Sequence, residues 1–88
     1  MKASVVWSER ARRDLAAVLS YVGERSPQAA RRLLALFERR AGRLAGFPSS
    51  GRLVPELEDD GPAVRELLIS RYRLVYELRG RRVEVLTV

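Results

Sequence analysis

Three arginines, Arg65, Arg71 and Arg73, fall within the run Arg65–Tyr76, Arg-Glu-Leu-Leu-Ile-Ser-Arg-Tyr-Arg-Leu-Val-Tyr, which otherwise reads as two β-strands and a tight turn. A guanidinium is planar, permanently charged and forked towards phosphate or carboxylate oxygens. Arg73 could therefore contact a phosphate or a target protein from the open face of a sheet. The plainer reading is an ion pair with Glu77, four residues on, or with a carboxylate on a neighbouring strand; an exposed pair of that kind is worth about 0–1 kcal/mol. Glu66, Glu77 and Glu84 carry no sign of the burial or pairing that would make a general base, and they read as ion-pair partners. A second arginine group, Arg31, Arg32 and Arg39, crowds the polar sides of a predicted helix, with Leu36 off that helix's main apolar stripe. These side chains, with Arg71 and Arg73, form the expected contact surface for a partner.

The chain of 88 residues contains no cysteine and no histidine. Disulfides, thiolate chemistry, zinc sites built on Cys or His, and Ser-His-Asp or Cys-His nucleophile systems are therefore excluded. No metal site and no cofactor is expected. The net charge is +6, and 16 of the 17 basic residues are arginine. Residues 1–46 hold ten basic and four acidic residues, whereas residues 47–88 hold seven of each, the second half being neutral through an acidic patch at Glu56, Glu58, Asp59 and Asp60. A basic surface suits a polyanionic partner, either nucleic acid or an acidic protein segment; the alternative is a solvated, arginine-rich surface. No apolar run approaches the roughly 18–20 residues that span a bilayer, and the N-terminal apolar stretch is too short for a secretory signal. A soluble cytoplasmic protein with no membrane contact is expected, folded as one domain over residues 1–88.

The elements that would position these side chains follow from periodicity. Ala3 to Trp7 alternates as a short strand, and Ser8 is placed to cap a helix over Glu9–Val22 with an apolar stripe at Ala11, Leu15, Val18, Leu19 and Val22. Gly23 is expected to end that helix in a positive-φ conformation. Ser26-Pro27 opens a second helix after a gap of three or four residues. Its stripe is Ala30, Leu33, Leu34, Phe37, Ala41 and Leu44, and Gly46-Phe47-Pro48 stops it. Residues 47–62 read as irregular, with a short strand near Arg52–Val54 and a solvated acidic tip. Val64–Ile69, Tyr72–Leu78 and Val83–Val88 read as consecutive antiparallel strands turned at Ser70-Arg71 and Arg79-Gly80. In the middle strand, Tyr72, Leu74, Tyr76 and Leu78 share the core face, while Arg73, Val75 and Glu77 share the other, where Arg65 is expected to join Arg73. The last strand, apolar on both faces, reads as central. Helices on one face of an antiparallel sheet define an α+β fold.

The order and spacing of Val6-Trp7, Ala11, Asp14-Leu15, Tyr21, Ser26-Pro27 and Ala29-Ala30, followed by Leu44, Phe47-Pro48, Gly51-Arg52, Pro55-Glu56-Leu57, Arg65-Glu66-Leu67, Tyr72-Arg73-Leu74-Val75-Tyr76 and Val83-Glu84-Val85-Leu86, resemble the RelE/ParE superfamily of type II toxin–antitoxin toxins. The likeness covers nearly the whole chain and is greatest to the ParE-like, or plasmid-stabilisation, branch. It implies a RelE/ParE-like fold: an N-terminal strand, an antiparallel helix hairpin and a sheet of about three further strands. It also implies neutralisation by a cognate antitoxin. ParE-like members are known for poisoning DNA gyrase, and RelE-like members for cleaving mRNA in the ribosomal A site. Carried over residue by residue, Arg73 matches a catalytic arginine of the ribonuclease branch, where it would stabilise phosphate charge in the transition state, and Arg65 lies near an assisting basic residue. Both branches usually continue beyond the last strand, and the ribonuclease branch there carries further basic residues and a tyrosine, whereas this sequence stops at Thr87-Val88. The expectation is thus a gyrase-directed toxin acting by protein–protein binding. The alternatives are a ribosome-dependent mRNA endonuclease using Arg73 and Arg65, or a non-toxic antitoxin-binding remnant.

Overall fold

The computed structural model describes residues 2–54 and 63–88; the acidic tip at Glu56–Asp60 lies outside them. The elements run β1 (Ser4–Trp7), α1 (Glu9–Arg25), α2 (Pro27–Gly42), a 3-10 turn (Arg43–Ala45), β2 (Arg52–Leu53), β3 (Val64–Ile69), β4 (Tyr72–Arg79) and β5 (Arg82–Thr87). The strands form one sheet in the order β1-β5-β4-β3-β2. β2, β3, β4 and β5 pair antiparallel in succession, and β1 pairs parallel to β5. The α+β class stands, with two strands more than the three consecutive ones: β1 and β2 are the edges, and β5 is interior, as its apolar faces required.

The helix hairpin is tighter than its sequence suggests. Gly23 does not end α1, and the only glycine with positive φ among the described residues is Gly80, in the β4–β5 turn. The helix continues to Arg25 and stops at Ser26, which is extended at φ −155° and ψ 104°. Pro27 is the reason, because the proline ring disfavours the helical region for the residue before it. Ser26 closes one helix by donating its N–H to the carbonyl of Val22 and opens the next by accepting from the N–H of Ala29 with its hydroxyl. A single residue therefore joins the helices where a gap of three or four was expected. Gly23 instead lies against α2, where an added Cβ would meet that of Ala30 at 3.6 Å.

Both helices cover one face of the sheet. The core joins Ala11 of α1 and Phe37 and Ala41 of α2 to Leu67, Ile69, Leu74, Tyr76, Val83 and Val85 of the sheet. The predicted core face of β4 holds, with Leu74 and Tyr76 fully buried and Tyr72 tilted against Phe37. Two leucines of α2 exchange roles: Leu34, read as part of the stripe, is exposed, and Leu36, read as outside it, packs partly against the core. α1 is further tied to β5 by polar contacts. The Ser8 hydroxyl accepts from the N–H of Ala11 and donates to the carbonyl of Leu86. Leu86 is an extra residue in the β4–β5 pairing, where Tyr76 faces Val85 and Val75 faces Thr87. The Asp14 carboxylate accepts from the Thr87 hydroxyl at 2.6 Å and the Val88 N–H at 3.2 Å.

The loop between the 3-10 turn and β2 hangs on Tyr76. Its buried hydroxyl donates to the carbonyl of Pro48 at 2.8 Å and accepts from the N–H of Gly51 at 2.9 Å. Burial pushes the phenol above its ordinary pKa, against the pull of the Gly51 N–H and the nearby Arg65 guanidinium. Gly51 is required for space: a Cβ there would lie 2.7 Å from both the Glu66 carbonyl oxygen and the Tyr76 hydroxyl.

Gly51→Ala and Tyr76→Phe should each cost about 1–3 kcal/mol, the first by overpacking and the second by leaving buried backbone groups unpaired. Because both act on one clamp, the double variant should lose less than the sum in urea unfolding. Hydrogen bonds from Thr87 and Val88 hold the Asp14 carboxyl below its ordinary pKa. Its stabilising effect is therefore complete above the unfolded value of about 3.9 and is lost as pH falls through the folded value. Asp14→Ala should lower stability at neutral pH by about 1 kcal/mol and flatten the acid limb of stability against pH.

Candidate functional site: the open face of the sheet

The face of the sheet away from the helices carries the charged residues of β2–β5 other than Arg65. Strand pairing places Leu68 opposite Arg73, Glu66 opposite Val75 and Val64 opposite Glu77, with Arg52 opposite Glu66. Arg73 and Glu66 are thus diagonal neighbours on adjacent strands, within reach for long side chains.

Glu66 is the centre of this arrangement. Its side chain is only 2% exposed and lies between two solvent-facing arginines. Arg52 donates its Nε–H to Oε2 at 2.6 Å. A terminal guanidinium nitrogen of Arg73 stands 3.0 Å from Oε1, within ion-pair range. Its N–H does not point at that oxygen, so Oε1 is buried with no hydrogen bond. Arg73 thus takes the paired alternative, with a carboxylate on the neighbouring strand rather than with Glu77.

A second cluster occupies the other end of the face. Glu77 and Glu84 are directly opposed across β4 and β5, an arrangement that like charges disfavour. Each is compensated along its own strand, Glu77 by Arg79 and Glu84 by Arg82 at 3.0 Å. Glu77 in turn raises the Arg79 pKa, by its hydrogen bond first and its charge second. All three carboxylates proposed as ion-pair partners are engaged in that way. Between and beside the clusters, Leu68 is 64% exposed and Val6 is also open.

The remaining site residues divide between the two sides of the sheet. Arg65 does not join Arg73. It is the cross-strand partner of Tyr76 and so projects to the helix side, where it donates to the carbonyls of Ser49 and Gly51 at 3.2 and 2.8 Å. Strand alternation decides the matter, since Arg65 shares the parity of the core residues Leu67 and Ile69. Arg31, Arg32 and Arg39 are exposed on α2, in the helix layer across the sheet from Arg73, and Leu36 is half-buried beside them. Arg71 is exposed in the β3–β4 turn and lines a groove with Tyr21, Arg25, Leu33 and Tyr72. Tyr72 and Tyr76 belong to the core side rather than offering stacking surfaces on the open face. The Arg52–Glu66 pair was missed by sequence reasoning; the same alternation, applied to Glu66, would have placed it on the open face. Among the described residues no cluster of acidic residues could hold a metal ion, and no helix is long and apolar enough to cross a membrane.

Comparison with known proteins identifies the scaffold. Toxin RelE1 of Caulobacter vibrioides is 38% identical over 89 residues, covering 97% of this chain and 89% of that protein. Toxin RelE2 of the same organism is 45% identical over 51 residues, and that match spans 58% of each chain. A solved structure described as the chromosomal ParDE TA system from P. aeruginosa superposes with a TM-score of 0.74 over 98% of this chain and 92% of that one. At 22% identity this is a likeness of fold. The model of the family described as the ParE toxin of the type II toxin–antitoxin system parDE matches residues 5–88. The chain belongs to the ParE toxin family of type II toxin–antitoxin systems.

Proposed function

We propose that this toxin acts by protein–protein binding, that its target is DNA gyrase, that a cognate antitoxin neutralises it, and that it performs no catalytic chemistry of its own. The engagement of Arg73 carries this reading. An arginine that stabilises a transferring phosphoryl group must aim its N–H groups at the charge developing in the transition state. Arg73 is instead held by a buried carboxylate that it shares with Arg52. Its companion in an endonuclease, Arg65, is bound to loop carbonyls on the other side of the sheet. The exposed Leu68 opposite Arg73 adds apolar area of the kind a protein partner covers. Target and antitoxin share the surfaces offered by Arg73 on the sheet and by Arg31, Arg32, Leu36, Arg39 and Arg71 on the helix side. The cytoplasm, where gyrase is found, is the proposed site of action.

A second reading, a ribosome-dependent mRNA endonuclease, is favoured by the names of the two relatives, toxins RelE1 and RelE2. It requires Arg73 to leave Glu66 for a phosphate.

Purified protein at micromolar concentration should inhibit supercoiling by gyrase, and an equimolar amount of the antitoxin encoded by the neighbouring gene should restore it; absence of inhibition would sink the proposal. Codon-specific mRNA cleavage in a translating extract, abolished by Arg73→Ala, would establish the endonuclease instead. Glu66→Gln should cost about 1–3 kcal/mol by weakening the hydrogen bond from Arg52 and removing the charge paired with Arg73, measurable by urea unfolding.

A further inference from the structure

We propose that the arginine-rich side of α2 and the 3-10 turn after it bind single-stranded nucleic acid. Arg32, Arg39, Arg40 and Arg43 follow the phosphates, and Phe47 stacks on a base. This surface lies in the helix layer, apart from the open face of the sheet, and the inference does not depend on gyrase being the target.

The first observation is a contrast in charge pairing. On the sheet, Arg52 and Arg73 lean on Glu66, Arg79 on Glu77 and Arg82 on Glu84. α1 couples Arg10 to Asp14 and Arg13 to Glu9. α2 carries four arginines against Glu38 alone, and among the described residues none of the four has an ion-pair partner, nor has Arg43. Five arginines thus stand close together in sequence with no carboxylate partner among the described residues.

The second observation is geometric. Arg32, Leu36, Arg39 and Arg43 recur at i, i+4, i+7 and i+11, one continuous stripe about 16 Å long at the helical rise. Arg39 and Arg43 are four residues apart and Arg40 and Arg43 three, spacings at which like charges repel. The helix dipole accounts for Arg39 and Arg40 in the last turn. It does not account for Arg31 and Arg32, near the other end of a helix whose first turn has no acidic residue.

The third observation lies at the end of the stripe. Arg40 and Arg43, with Phe47, Ser50 and Leu67, line a cleft of about 250 Å³. Phe47 is 63% exposed, which leaves its aromatic side chain accessible to a partner. A row of cations leading to an open aromatic face is the arrangement that binds single strands, in which the backbone tracks the charge and a base stacks. In a duplex, the bases are stacked on one another and cannot reach such a ring. Every phosphate of a nucleic acid strand carries charge, so a strand would use the whole row.

Fluorescence anisotropy of a labelled oligo(dT) with the full chain tests this. Binding should fall steeply between about 50 and 200 mM salt. The double variant Arg39→Gln/Arg43→Gln should bind about tenfold or more weakly and reduce the log–log salt slope by about 1.4, two single-strand phosphate contacts. Phe47→Ala should weaken binding about fivefold or more with little change in slope, and Phe47→Tyr should retain it. Arg79→Gln/Arg82→Gln removes the same charge from the sheet face and should change affinity less than about twofold if position matters. Circular dichroism confirms that each variant is folded. Equal losses from the two double variants would overturn the proposal, as would no effect of Phe47→Ala or no binding at the lower salt. Displacement by polyglutamate more readily than by unlabelled oligo(dT) would overturn it in favour of an acidic protein partner.

Discussion

The hydroxyl of Tyr76 is the contact on which the rest of this small sheet depends. It lies under the helices on β4 and closes two hydrogen bonds to the chain entering β2. Buried backbone groups need partners, and Pro48 and Gly51 find theirs in this one side chain. Gly51 fits only because it has no Cβ, and Arg65, the neighbour of Tyr76 on β3, draws the carbonyls of Ser49 and Gly51 to the same place. The next residue, Arg52, is thereby set opposite Glu66, and Glu66 in turn holds Arg73. A core hydrogen bond on one side of the sheet thus helps to fix the position of Arg73 on the other.

The two layers handle charge differently. The sheet face is arginine-rich yet internally balanced, each carboxylate lying against one or two guanidinium groups. Burying Glu66 almost completely costs desolvation energy that two exposed arginines only partly repay. Keeping it there is better explained by positioning than by stability. The helix layer shows the reverse, with the arginines of α2 having no ion-pair partner among the described residues. Electrostatic steering of a polyanion would act from this side, while the sheet face offers a patterned surface of mixed sign and exposed apolar side chains.

Much of the fold was legible in the sequence because its elements are short and strongly periodic. Alternation in β4 assigned Leu74 and Tyr76 to the core, and the apolar run of β5 marked an interior strand. The failures have physical causes. Gly23 read as a stop because glycine often ends helices, yet the constraint that Pro27 places on Ser26 was the stronger signal. Arg65 was grouped with Arg73 because both are arginines, although their parity along paired strands sends them to opposite faces. Leu34 and Leu36 flank the edges of one stripe, where a few tens of degrees of helix rotation decide which is covered. The Tyr76 clamp pairs residues 25 and 28 positions apart through backbone atoms, and backbone partners leave no mark in residue type. The identity of the target lies beyond periodicity altogether, because one scaffold can present different surfaces.

The parallel pairing of β1 with β5 sets an order of events during synthesis. β5 follows β1–β4 and both helices in sequence but sits between β1 and β4. Until it has left the ribosome, the first strand has no partner in the sheet, the hydrogen bonds of Leu86 to Ser8 and of Thr87 to Asp14 are absent, and Val83 and Val85 are missing from the core. A nascent chain lacking β5 would hold a helix hairpin and a β-meander without a centre. Long-range closure of this kind is slow to form. The finished surfaces, and with them any harm the protein can do, come into being in one late step, after β1–β4 and both helices have been made.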